Sequence, residues 1–195
     1  MAGTRLVELL ASEQPSRQEI AALLDGLDHQ RRMEEVTALA GPGLQGKLYE
    51  SAREAPRVGL DDLVPPDYQP LREVIFHGKN SLPAFTLFQK RFCRPPAARA
   101  AELWGYNHQA LAWLTGPGYF VVHDEPANGA AIDYREVPPQ GCPNWPPVRS
   151  NDRGFSRFVY KDMVDYLRRV STHVMIGRAT RHGKPLDNYF VLCRE

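Results

Sequence analysis

The chain has few cysteines, no long apolar run and no excess of charge of either sign. Its three cysteines, Cys93, Cys142 and Cys193, make no zinc-type spacing and indicate a reducing compartment. No apolar run reaches the roughly 18 residues that span a bilayer. The N-terminal apolar stretch carries Glu8 and Glu13, which a secretory signal would lack. We therefore predict a cytoplasmic protein that does not enter a membrane.

Signatures of polyanion binding and of catalysis are also missing. The 24 basic and 23 acidic residues leave a net charge of +1, which gives no global reason to expect a nucleic acid as partner. There is no G-x-S-x-G, no cysteine beside a histidine and no paired-carboxylate pattern. The histidines in or beside β segments have no metal-motif spacing: His77, His108, His123 and His173. The sequence thus predicts no catalytic residue and no metal site, and it leaves any cofactor unknown.

What the chain does have is apolar side chains, 43% of all residues, enough for a core without disulfides or metal. Residues 1–55 have helical periodicity. Ser16 and Glu19 form a capping box, in which each side chain can satisfy an orphan amide of the first helical turn. Helices this short are marginal alone, so we predict a helical cap that packs on the rest of the chain. Residues 56–70 are rich in proline and acid and resemble a linker.

Residues 71–195 have a mainly β pattern, with seven or eight segments and no α/β alternation. The clearest segments are SRFVYK, VDYLRRVS, HVMIGRATR and LDNYFVLCRE. They are joined by two to four residues, which requires antiparallel neighbours. Both faces of the last segment are apolar, so we expect it to be covered on both sides, with the N-terminal helices as one cover. The prediction is an α+β protein whose helices pack on an antiparallel β-barrel or strongly curved sheet. Residues 83–115 fit either helix or strand.

The C-terminal meander carries a family resemblance. It contains Phe158-Val159-Tyr160, then Met163–Val170, then Ile176-Gly177 and finally Tyr189–Leu192. This order of a tyrosine segment, a D-x-[FL]-R-x-V strand, a glycine-containing strand and an aromatic strand resembles small lipocalin-like bacterial proteins of unknown function. They include the families named for a GXWXG motif. The resemblance implies a calycin-type barrel that takes a small apolar ligand, and it implies no activity and no catalytic residue.

A barrel of this size either fills with side chains or holds one small ligand. Aromatic residues are concentrated in the middle of the chain, where they suit an ordinary core or an apolar pocket with a few polar anchors. On the pocket interpretation, the candidate lining residues are Trp104, Tyr106, Asn107, His108, Trp113, Tyr134, Asp165 and Arg168. Asp165 and Arg168 lie on opposite faces of one strand, so one face of this strand would carry a charge into the interior; the alternative is a cross-strand surface pair of the acid with Arg178 or Arg157.

Three functions follow from these patterns. The leading hypothesis is a protein that binds a small apolar molecule, with the loop Pro138–Arg153 near the mouth of the barrel. The second is an enzyme using the same cavity, with His108 and either Asp165 or Tyr134 as acid–base groups. The third is an interaction protein that uses a basic C-terminal face, where ten basic residues oppose five acidic ones from residue 149 to residue 195. The ligand and the oligomeric state stay open.

Overall fold

The computed structural model describes residues 3–83, 86–99, 101–109 and 116–195. The helices in this part of the chain are α1 (Arg5–Ala11), α2 (Arg17–Asp25), α3 (His29–Thr37), α4 (Gly41–Ser51), α5 (Leu60–Leu63) and α6 (Ser156–Tyr160). The strands are β1 (Glu73–Asn80), β2 (Leu87–Cys93), β3 (Glu102–His108), β4 (Tyr119–Glu125), β5 (Gly129–Asp133), β6 (Met163–Arg169), β7 (Val174–Arg181) and β8 (Lys184–Arg194). A short 3₁₀ turn spans Ala97–Arg99. None of the described helices has the length and hydropathy to cross a bilayer.

The eight described strands form a closed antiparallel barrel. Each strand pairs with the next along the chain, and β8 pairs with β1 to complete the circle. Inward-facing side chains alternate with outward-facing ones, and a continuous aromatic and aliphatic cluster fills the interior. The predicted fold class, helices packed on an antiparallel barrel of lipocalin-like form, is confirmed. Within residues 83–115, the described parts contain the strands β2 and β3.

The N-terminal helices cover the outer face of β7 and β8. Ser16 caps α2, since its hydroxyl accepts a hydrogen bond from the backbone N–H of Glu19 at 3.3 Å. The helices bury their apolar stripe against the outward side of the two strands, which includes Val174, Ile176, Val191 and Cys193. On the inward side of β8, Phe190 and Leu192 belong to the barrel interior. The last strand is therefore apolar on both faces because it is covered on both, as its sequence predicted.

The segment from residue 56 to residue 70 closes one end of the barrel. It has the composition of a linker, but Val58, Leu63 and Val64 are buried in the same cluster as the inward-facing side chains. Arginines at the ends of three strands hold the segment. Arg94 donates to the carbonyl of Pro65 at 3.0 Å, Arg169 pairs with Asp62, and Arg194 donates to the carbonyl of Asp62 at 3.4 Å. In an up-and-down barrel β2, β6 and β8 all end at the same side, so this end is the closed one.

One local prediction was wrong. The segment SRFVYK is not a strand but contains the short helix α6, which leaves Phe155, Phe158 and Val159 exposed. The loop Pro138–Arg153 was expected near the mouth of the barrel, and its Asn151 donates to the carbonyl of the cavity-lining Tyr134 at 2.8 Å, although no residue of the loop lines the cavity. Its Trp145 instead packs on the outer face of β3, with its ring centroid 4.9 Å from that of Tyr106. The reason is that the outer face of β2 to β4 is itself apolar and needs a cover, which the loop supplies.

Candidate functional site

A cavity of about 370 Å³ lies at the end of the barrel opposite the closed one. This volume is within the range of small-molecule sites, roughly 300–1,000 Å³. Its wall is made largely of apolar and aromatic side chains, among them Phe88, Met163, Ala179 and Phe190. Deeper in the barrel, fully buried residues such as Phe92 fill the interior. The cavity therefore occupies only the part of the barrel near its open end.

The rim of the cavity exposes apolar side chains to solvent. Leu82, Phe158 and Val159 line the cavity, yet their relative exposures are 41%, 63% and 38%. The guanidinium of Arg181 donates to the carbonyls of Phe158 and Val159, each at 3.1 Å, and so ties α6 to β7 beside the opening. Exposed apolar side chains around a concave opening are typical of a binding site. Isolated exposed apolar residues would carry no such meaning.

A cluster of four polar side chains lies inside the barrel at the floor of the cavity. Lys90, Asn107, Tyr134 and Asp165 line the cavity and are each at most 5% exposed, and we call them the polar quartet. The ammonium of Lys90 donates to Asn107 Oδ1 at 3.0 Å, to the Tyr134 hydroxyl, and to Asp165 Oδ2 at 3.4 Å. Asn107 Nδ2 donates to the Tyr134 hydroxyl at 3.1 Å. The three donors of the lysine are thus all used within the quartet.

Strand register brings the quartet together. Lys90 and Asn107 are directly paired residues of β2 and β3. Asp165 comes from the middle of β6, and Tyr134 follows the end of β5, where its N–H donates to the carbonyl of Met163 at 3.1 Å. Side chains in a strand alternate between faces, so each of these residues points inward with its apolar neighbours at two-residue spacing. Three strands and the residue that follows a fourth therefore contribute to one polar floor.

Aromatic rings surround the Lys90 ammonium. Its Nζ lies 4.7 Å from the ring centroid of Phe190, 5.0 Å from Tyr134, 5.1 Å from Phe120 and 5.7 Å from Phe88. Ring faces attract a cation, and such contacts are worth about 0.5–2 kcal/mol depending on desolvation. The rings offset part of the cost of burying the lysine, but they also remove water from around it.

Tyr160 closes the site from the side of α6. Its ring stacks on Tyr134 with centroids 5.2 Å apart and planes 17° from parallel, and its hydroxyl accepts a hydrogen bond from Gln109 at 3.2 Å. The Tyr160 ring packs directly on residue 118, which must be glycine, because a Cβ on Gly118 would lie only 2.3 Å from the ring. Gly118 also has a φ of 55°, which a side chain rarely tolerates.

Burial works against charge in the quartet. Desolvation lowers the pKa of Lys90, while the neighbouring Asp165 carboxylate acts in the opposite direction. Desolvation likewise raises the pKa of Asp165 against the attraction of Lys90. The phenol of Tyr134 has a pKa well above its ordinary value, because it is buried and lies near Asp165. A buried lysine and a buried carboxylate with opposite pKa shifts in a cavity are typical of functional sites.

One acceptor of the quartet is unsatisfied. Asp165 Oδ1 is buried and has no hydrogen-bond partner in the part of the chain that the structure describes. Leaving a buried acceptor unpaired costs roughly 1–3 kcal/mol, more for a charged group. A native structure rarely retains such a group without a reason such as a ligand.

The structure brings together three of the eight pocket candidates: Asn107, Tyr134 and Asp165. Trp104, Tyr106 and His108 lie on the outward face of β3, which alternation separates from the cavity. Arg168 also faces outward, with its guanidinium carbon 3.7 Å from the Tyr49 ring centroid. These four were wrong as cavity residues. Trp113 lies outside the described residues.

Sequence reasoning missed Lys90, the central residue of the site. A signal was present in LFQKRFC, where Phe88, Lys90 and Phe92 share one face of a strand. A lysine between two phenylalanines on an inward face indicates a buried amine. The residue was overlooked because lysine is rarely buried, and because this segment fitted either helix or strand.

Among the described residues, no three or more histidine, cysteine, aspartate or glutamate side chains lie close enough together to hold a metal ion. Comparison with models of protein families, with curated proteins and with solved structures found no match to this chain. The function must therefore be argued from the cavity itself.

Proposed function

We propose that the barrel binds a small, uncharged and largely apolar molecule, whose single polar group reaches the polar quartet. The observation that carries this proposal is the aromatic-walled cavity of about 370 Å³ with four polar side chains at its floor. An apolar wall supplies most of the binding free energy, and a few fixed polar groups orient the ligand. The exposed apolar rim gives an apolar molecule a place of entry.

The charges of the quartet favour an uncharged ligand. Lys90 and Asp165 form a buried ion pair, so the floor carries no net charge. A charged ligand would bring an additional buried charge without a counterion, which is expensive. A neutral acceptor can instead compete for the long hydrogen bond, 3.4 Å, that Lys90 gives to Asp165, and a neutral donor can bind the free oxygen of Asp165. The structure therefore favours ligands such as alcohols, carbonyl compounds and amides with an apolar body.

A fluorescence titration tests the proposal. The neutral probe N-phenyl-1-naphthylamine should brighten when it enters the apolar cavity and should be displaced by a medium-chain alcohol such as 1-octanol. Ala179, on the cavity wall, is 5% exposed, and Ala179→Leu should fill the space and abolish the signal. The matched control is Ala127→Leu, the same change at an exposed position of the hairpin between β4 and β5.

Equal thermal stability of the two variants would show that lost binding is due to a filled cavity and not to unfolding. If Ala179→Leu binds the probe as well as Ala127→Leu does, the cavity is not the binding site and the proposal fails.

An enzyme using the same cavity is the second candidate function. Asp165 and Tyr134, two of the predicted acid–base groups, are both buried beside Lys90. His108 cannot serve with them, because it lies on the outer face of the barrel. A buried amine next to a carboxylate and a phenol can transfer protons to a bound ligand.

The interaction hypothesis, which relies on the basic C-terminal face, has no comparable support, since Arg168, Arg169 and Arg178 each pair with an acidic side chain.

A further inference from the structure

We propose that the Lys90 amine forms an imine with the carbonyl carbon of an apolar aldehyde or ketone bound in the cavity. This inference rests on the proposed function and narrows its ligand class to carbonyl compounds. Of the five lysines in the chain, Lys90 is the one whose side chain lines the cavity. Lys47, Lys161 and Lys184 are exposed, and Lys79 is half-buried. Lys90 is therefore the one lysine whose amine a ligand in the cavity can contact.

The surroundings of Lys90 suit an amine that reacts as a nucleophile. Only the free amine, and not the ammonium, can attack a carbonyl, and desolvation in an apolar pocket is a known way of favouring the free amine. The side chain of Lys90 is 3% exposed and is enclosed by four aromatic rings. Burial lowers its pKa, against the opposing effect of Asp165. Exclusion of water also protects an imine from hydrolysis.

Asp165 is placed to carry the proton that the reaction must move. Its Oδ2 lies 3.4 Å from Lys90 Nζ and takes a proton from the nitrogen. The nitrogen lone pair then forms the C–N bond, and the carbonyl π electrons move to oxygen. Protonated Asp165 gives its proton to this oxygen and then takes up the second proton from the nitrogen. The product at this stage is a carbinolamine. Its hydroxyl is a donor that fits the unpaired Oδ1 of the same carboxylate.

The second half of the reaction returns the proton. The protonated Asp165 gives its proton to the hydroxyl, which leaves as water while the nitrogen lone pair forms the C=N bond. The overall change is Lys90 ammonium plus carbonyl compound to protonated imine plus water, with Asp165 a carboxylate again at the end and no oxidant or reductant. Tyr134 and Asn107 hold the nitrogen in place, since both accept hydrogen bonds from Lys90 before the reaction.

Reductive trapping in the wild-type protein tests the inference. The protein is treated with octanal and cyanoborohydride, digested and analysed for octyl groups on each lysine. We expect Lys90 to be labelled at least about tenfold faster than Lys47, even though Lys47 is more accessible to solvent. Excess 1-octanol should slow labelling at Lys90 and leave the exposed lysines unchanged. Ala179→Leu should likewise prevent labelling at Lys90 alone, with Ala127→Leu as the control.

The outcomes separate the two proposals. If 1-octanol displaces the fluorescent probe but Lys90 is labelled no faster than Lys47, the imine is refuted and ligand binding stands. If 1-octanol does not displace the probe and Lys90 is not labelled, both proposals fail.

Asp165→Asn tests the role of the carboxylate. Loss of a proton carrier should slow labelling of Lys90 by about 100-fold or more, without affecting Lys47. If Asp165 served only as a counterion, its removal would leave more of Lys90 as free amine and would speed up labelling. Faster labelling in Asp165→Asn would therefore overturn the proton-transfer role.

Discussion

Removing one partner of the buried Lys90–Asp165 pair should destabilise the protein far more than removing both. The two side chains are 3% and 5% exposed and lie 3.4 Å apart. At an effective dielectric constant of about 20, their Coulomb attraction at this distance is about 5 kcal/mol. Asp165→Leu leaves the lysine without a counterion, and breaking such a pair typically costs about 3–5 kcal/mol in the free energy of unfolding.

The double variant Lys90→Met/Asp165→Leu should recover most of that loss. It removes both desolvated charges and leaves Asn107 and Tyr134 hydrogen-bonded to each other at 3.1 Å. Replacing a buried ion pair with apolar residues of similar size is often neutral or stabilising. We expect its stability to lie within about 1 kcal/mol of wild type, which corresponds to a coupling energy of at least about 5 kcal/mol if each single variant loses about 3 kcal/mol or more.

The two single variants should respond to pH in opposite directions. In Lys90→Met, burial raises the pKa of Asp165, so the folded state binds a proton that the unfolded state releases above its ordinary pKa of about 3.9. Stability then falls as pH rises through that window. In Asp165→Leu, burial lowers the pKa of Lys90, so the unfolded state binds the extra proton below about 10.4. Stability then rises with pH.

Urea unfolding of the wild type and the three variants at about pH 4, pH 6 and pH 9 measures these quantities. Additive losses in the double variant, or pH slopes of the same sign in the two single variants, would refute the buried ion pair. A double variant that is less stable than wild type by more than about 3 kcal/mol would show that the pair is retained for stability, and not for a ligand.

Three further predictions concern the barrel and its closed end. Gly177→Ala should lower stability by about 1–3 kcal/mol, because its Cβ would lie 2.1 Å from the Phe190 ring. The control is Gly43→Ala, whose Cβ would have no atom within 4 Å. Equal melting temperatures of the two variants would contradict the strand register. All three cysteines should resist a thiol reagent until the protein unfolds, because they are buried and because a hydrogen bond with Cys142, together with burial, raises the pKa of Cys93. Rapid labelling of the native protein would contradict their placement. Although burial opposes ionisation, the hydrogen bond from Arg169 lowers the pKa of Asp62, so stability should fall as pH drops below about 4. Asp62→Asn should reduce that loss in acid denaturation, and an unchanged acid profile would contradict the link.

The barrel could be predicted because its evidence is local. Connections of two to four residues determine antiparallel pairing, and the two apolar faces of β8 predict a cover on each side. The segment at residues 56–70 shows the limit of such reasoning. Its prolines and acids resemble a linker, but burial of Val58 depends on a barrel end that is assembled from distant strands. Composition cannot report that contact.

The site was less predictable than the fold, because its members come from three strands and the residue that follows a fourth. Asp165 could be assigned to one of two faces from alternation alone, but its partner Lys90 lies 75 residues away in sequence. Tyr106 and Asn107 are adjacent in a strand, so one of them must face the cavity and the other must not. In β3 the aromatic residues Trp104 and Tyr106 share one face with His108, while Asn107 lies on the other, and the sequence does not say which face is inward. Tyr106 and His108 were assigned to the cavity together with Asn107 because both residue types suit a pocket.

Methionine methyl NMR tests most directly the central claim, that the cavity at the open end of the barrel is a ligand site. Met163 lines the cavity, while Met33 packs among the helices on the outside of the barrel. With ¹³C-methyl-methionine labelling, addition of 1-octanol should shift the Met163 resonance in a saturable manner and leave Met33 unchanged. A saturable shift at Met33 with none at Met163, or no shift at either, would contradict a ligand site inside the barrel.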